Sequence, residues 1–192
     1  MVGGGRSKTG GMVAAVAVLL LAGCASSGGA GSSEAVSGVT LAQSKSYAQL
    51  LRNEASSRLP EIVLKEVAQS SDVSVACDSD PRGLARSWSS STSILITNST
   101  APRIQKVADD LATSFVDQGW TVSRDAASTD TQIVTELTSE ASLAAIEIAT
   151  ALKADGQAPS IRITATGVCA ITGGPESDEV VKLELHDPAA QD

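Results

Sequence analysis

Large side chains are nearly missing from this chain. Aromatics make up 2% of its 192 residues, with Trp88, Trp120, Phe115 and Tyr47 the full set. A core with so few rings must be filled by Leu, Ile, Val and Ala, and all four aromatics are expected to be structural. The single histidine, His186, follows the last segment with strand character and stands beside Asp187 and Pro188. General-base chemistry needs a base held within hydrogen-bond reach of its nucleophile and oriented by a third group, which such a terminal position does not supply. No G-x-S-x-G, H-E-x-x-H or Walker-type run occurs, so the signatures of the common exported hydrolases and nucleotide-binding proteins are missing. Basic clusters are missing as well: 14 Lys and Arg stand against 22 Asp and Glu, a formal charge of −8. A chain this acidic is a poor partner for nucleic acid or anionic headgroups. We read the acidity as solubility rather than as cation binding.

The apolar run at 12–22 is too short to cross a bilayer, which takes ~20 residues. It follows Arg6 and Lys8 and ends in Leu21-Ala22-Gly23-Cys24. A basic start, a short apolar stretch and small residues before a cleavage point make 1–23 a leader rather than a span. Loss of its two cations would take the formal charge from −8 to −10. Residues 25–33 are only Ala, Ser and Gly, a composition that buries no core and behaves as a tether, so 24–40 is expected to hold the domain roughly 20 Å from its attachment point.

Beyond the leader and Cys24 two cysteines remain, Cys77 and Cys169. In an exported chain an even count argues for a disulfide, and two cysteines pair in one way. Neither belongs to a C-x-x-C redox motif. Closing the loop of 169 − 77 = 92 residues between them is worth about 4–5 kcal/mol in the chain-entropy model.

The rest, 41–186, has the length of one domain. Apolar residues at helical spacing from Tyr47 predict a first helix through Gln69, kinked or split at Pro60. A strand is expected at 73–77, turn residues at 78–83, and a second strand that puts Trp88, Ser90, Thr92, Ile94 and Ile96 on one face. The second helix has Ser99 or Thr100 as cap, Pro102 in its first turn, a stripe of Ile104, Val107, Ala108, Leu111 and Phe115, and Gly119 past its end. Strands are expected after Trp120, at 132–137 and at 160–168. The alanines of 143–152 favour helix whereas its alternation favours strand, and we take strand. Residues 180–185 read as an edge strand and 187–192 as a tail.

Taken together, the lipobox-like Leu21-Ala22-Gly23-Cys24, the tether, a strand ending in Cys77, a Trp-bearing strand, a helix ending in Gly119-Trp120 and a meander reaching Gly167-Val168-Cys169 resemble the small uncharacterised envelope lipoproteins of actinobacteria. The resemblance implies diacylglyceryl attachment at Cys24 and residence on the outer face of the cytoplasmic membrane. It implies an antiparallel sheet packed on helices and a bridge at Cys77 and Cys169; with the segments read above, the expectation is an α+β fold, a sheet of five to six strands packed against two amphipathic helices and stapled by that disulfide. It brings no reaction, cofactor or catalytic residue.

Other candidates have plain explanations. Asp78 and Asp80 flank Ser79 and lack the further ligands of a calcium loop. Asp109 and Asp110 fall on the polar side of the second helix, and Glu136, Glu140 and Glu147 are scattered through strand and turn. The serines of 87–93 mark a polar strand face or a glycosylation target. The expectation is a non-enzymatic binding module for an envelope partner, without cofactor or metal. The alternative is a carrier holding an amphiphile between sheet and helices.

Overall fold

A capping box opens the first helix. The Thr40 hydroxyl accepts from the Gln43 N–H at 3.2 Å, and Gln43 Oε1 accepts from the Thr40 N–H at 3.0 Å, satisfying two of the donors a helix start leaves unpaired. The structure, a computed structural model, describes residues 35, 36, 38–61, 64–96, 100–124, 128, 129, 131–152 and 158–185. Helix α1, Leu41–Ser57, buries Leu41, Ser44, Ala48, Leu51 and Ala55, a stripe at i, i+3 and i+4 spacing. The helix expected through Gln69 is therefore corrected at both ends. Leu50 is 67% exposed, the helix ends ahead of Pro60, which disfavours helical geometry in the residue before it, and Leu64–Ala76 is strand β1. Pairing of β1 with β2, Ala85–Ile96, overrides the helical spacing of the residues after Pro60.

Helix α2, Ala101–Val116, follows the expected stripe through Ile104, Ala108, Leu111 and Phe115, with Pro102 in its first turn. Thr100 stands at its N-cap without a side-chain cap bond. Gly119 takes φ +89°, which glycine adopts without a Cβ penalty. Trp120 then donates its N–H back to Phe115 O at 3.2 Å, and the two rings meet edge to face with centroids 5.5 Å apart. Strands β3 (Thr121–Arg124), β4 (Gln132–Ser139), β5 (Ala144–Ala151) and β6 (Ser160–Thr166) form a meander. The alternation of 143–152 is thus real strand.

All pairings are antiparallel and the strand order is β1-β2-β6-β5-β4-β3, with the short β7 (Ala170–Ile171) pairing with the start of β2. The expected α+β class holds, with a third helix beyond the two expected. Residues 180–185 are not an edge strand: α3, Asp178–Leu185, carries them. Val180 and Leu183, three apart, pack with Leu41, Ala48 and Trp88. Glu179 Oε1 accepts from the Leu41 N–H at 2.8 Å, and Lys45 Nζ donates to Leu183 O at 3.2 Å. The two helix ends thus satisfy each other.

Both α1 and α2 pack on one face of the sheet. Ile94, Ile96, Leu137, Ile146, Ile148, Ile161 and Ile163 meet Leu51, Ile104, Leu111 and Phe115 there, giving a two-layer core of mostly branched aliphatic residues. Trp88, fully buried, sits on the same face. Its Nε1 donates to Asp72 Oδ1 at 3.0 Å and its backbone N–H to Ser44 Oγ at 3.0 Å. Gln49 and Arg52 also donate to Asp72, each at 3.1 Å, so the buried carboxylate is fully partnered. Gly167 lies against α1: a Cβ there would stand 2.5 Å from Ser44 O.

Candidate functional site

Successive side chains of a strand point to opposite faces, so the helix-facing row Trp88, Ser90, Thr92, Ile94, Ile96 leaves Ser87, Ser89, Ser91 and Ser93 on the other. The expected polar strand face is therefore half of the serine run, and Ser90, fully buried, faces the core. Register extends the open face across the sheet. Ser89 lies opposite Thr166, Thr166 opposite Ala145, and Ala145 opposite Thr138. One row along, Ser91, Thr164, Glu147 and Glu136 follow one another. Among the described residues no helix packs on this face. An antiparallel sheet tolerates such a layout, because one face can remain in water.

Two glutamates that look scattered in the sequence are brought together: Glu136 and Glu147 are directly opposed across β4 and β5. Like charges so placed oppose each other. Near them, at the end of the sheet that carries the disulfide, lies a cleft of about 260 Å³. Val75, Leu143 and Ala145 supply apolar wall, Ser87 and Thr166 supply hydroxyls, and Asp78 and Glu136 supply carboxylates. Neither of those carboxylates forms an ion pair with a described residue. Leu143 sits in the β4–β5 turn at φ +52° and 41% exposed, a backbone region that costs a branched side chain free energy.

Cys77 and Cys169 form the expected disulfide, with Cα atoms 6.2 Å apart and 92 residues between them in sequence. Both are buried and line the cleft. The chain enters the fold at this end, where the Val36 N–H donates to Cys169 O at 3.1 Å and Ala35 packs against the cystine.

The remaining candidates separate from this cleft. Asp80 is a turn residue whose carboxylate accepts from the Arg82 N–H at 3.0 Å and the Ala85 N–H at 2.6 Å. The Arg82 N–H above all, with those of Ala85 and Leu84 and the Arg82 charge, holds its carboxyl below the usual range despite some opposing desolvation. Asp109 and Asp110 lie on the exposed side of α2, accepting from Gln105 and Lys106 at 2.7 Å. Glu140 is in the exposed β4–β5 turn. Cys24 and His186 lie outside the described residues. Among the described residues, no three His, Cys, Asp or Glu side chains are grouped to hold a metal. The cleft itself was not legible in the sequence, because its lining comes from separate strands and only register unites them. No family model, curated protein or solved structure matches the chain.

Proposed function

We propose that this chain is an envelope lipoprotein, anchored through Cys24 to the outer face of the cytoplasmic membrane, whose open sheet face recognises a protein partner without catalysing a reaction. The observation that carries the recognition part is the juxtaposition on that face of rows of Ser, Thr and Ala with a cleft that combines apolar wall and two carboxylates in no ion pair with a described residue. The anchoring part stands on the leader and on Leu21-Ala22-Gly23-Cys24. From Cys24 to Ala35 is a step of 11 residues, at most about 40 Å when fully extended.

Packing favours surface recognition over internal carriage. The space between sheet and helices is occupied by the chain's own Ile, Leu and Phe side chains. A cleft between the layers, bordered by Ala112, Val116 and Val122, holds about 190 Å³, small beside the roughly 300–1,000 Å³ of sites that enclose a ligand.

Two experiments test the reading. Photo-crosslinking in cells from Thr164, on the open face, is expected to capture one protein that crosslinking from Asp110 on α2 does not; equal yields from both positions would sink it. Cys24→Ala is expected to move the protein from the membrane to the aqueous fraction, and an unchanged distribution would remove the anchor.

A further inference from the structure

From the cleft on the open face we infer that it receives one lysine side chain, presented by a basic segment of a partner protein. The inference rests on the reading of that face as a recognition surface and names the chemistry it reads. Charge complementarity is the first argument. Asp78 and Glu136 both line the cleft, and neither forms an ion pair with a described residue. An incoming ammonium would give these two carboxylates the opposite charge that no described residue supplies.

Ser87 supplies an independent argument. It is 3% exposed, the strand alternation that buries Trp88 turns it to the open face, and it lines the cleft. Its hydroxyl makes no hydrogen bond with any described residue, and its place in the lining lets it accept from a group that enters the cleft. An ammonium has three donors and no acceptor, so the two carboxylates and this hydroxyl match its demand. Size and wall complete the fit. About 260 Å³ lies below the range of enclosed small-molecule sites and suits a single long side chain, whose methylene stem would lie along Val75, Leu143 and Ala145 while its charged head stays polar. Leu143 is kept in left-handed backbone geometry that Asn or Gly adopts at lower cost, which is consistent with its side chain being used.

The test is a nuclear magnetic resonance titration of the isotope-labelled full chain with tetralysine, and with the same peptide acetylated on every side chain. Tetralysine is expected to shift the amides of Ser87, Ala145 and Thr166, and the acetylated peptide to leave them in place. In the double variant Asp78→Asn, Glu136→Gln the affinity should fall about tenfold or more, as expected for loss of charge-assisted hydrogen bonds. Leu143→Asn keeps the backbone geometry and should weaken binding severalfold by removing apolar wall. Equal shifts in the double variant, or shifts centred on Asp109 and Asp110 of α2, would overturn the assignment. If crosslinks from Thr164 still capture a partner while tetralysine leaves the cleft unmoved, the cleft is wrong and the face reading stands. If neither is seen, both fall.

Discussion

Trp88 Nε1 lies 3.0 Å from Asp72 Oδ1 in the interior of the domain, so the one indole packed between α1 and β2 is oriented by a carboxylate that Arg52 also holds, at 3.1 Å. Removing the carboxylate strands three donors at once: the indole N–H, the Gln49 amide and the Arg52 guanidinium. Asp72→Ala is expected to destabilise the fold by about 3–5 kcal/mol, the range for breaking a buried ion pair. Urea denaturation followed by tryptophan fluorescence measures it; a loss below about 1 kcal/mol would mean that the network is replaceable by water.

The Cys77–Cys169 bridge spans 92 residues. Replacing both cysteines with alanine, which avoids a free thiol, is expected to cost about 2–5 kcal/mol. An unchanged denaturation midpoint in the double variant would show that the bridge carries no net stability.

At Gly167 the space is filled by backbone. An added Cβ would stand 2.5 Å from both Ser44 O and Ser44 Oγ, and α1 would have to move away from the sheet. Gly167→Ala is expected to cost about 1–3 kcal/mol, the usual penalty of overpacking. A variant as stable as the parent in a thermal melt would show that α1 yields freely.

Asp80 gives a pH signature. Its folded carboxyl titrates below its usual value because backbone N–H groups, Arg82's foremost, donate to the charged form. The stability it contributes is therefore complete above the unfolded value of about 3.9 and is lost as pH falls through the folded one. Asp80→Asn should flatten the acid limb of stability against pH while leaving the neutral region nearly level. An unchanged acid limb would assign the slope to other carboxylates.

Much of the fold could be read from side-chain spacing, and the failures have physical causes. Ile104, Ala108, Leu111 and Phe115 repeat at helical spacing on a single buried face, so α2 is legible. Trp88 through Ile96 alternate without interruption, so the inner row of β2 is legible too. Val67 misleads because it continues the helical spacing of α1, yet β1 claims it through pairing, and there it is 63% exposed. At 180–185 the alternating pattern competes with a three-residue spacing; contact of Val180 and Leu183 with Trp88 and Leu41 decides for helix. Asp72 reads as one more polar strand residue until Trp88, Gln49 and Arg52 converge on it. For the cleft, Glu136 and Glu147 are neighbours only through the β4–β5 register, which no local pattern encodes.

The strand order places a seam between β2 and β6, where the amino-terminal hairpin meets the carboxy-terminal meander. Ser89 and Thr166, partners across that seam, are 77 residues apart in the chain, so the joint must close a long loop before any of its hydrogen bonds compensate. Cys77 lies just past β1 and Cys169 just past β6, one on each side of the joint. With the bridge intact, an unfolded chain already keeps both halves within reach. Its search becomes one of alignment rather than encounter, and the oxidised chain should refold faster than the reduced one from the same denaturant.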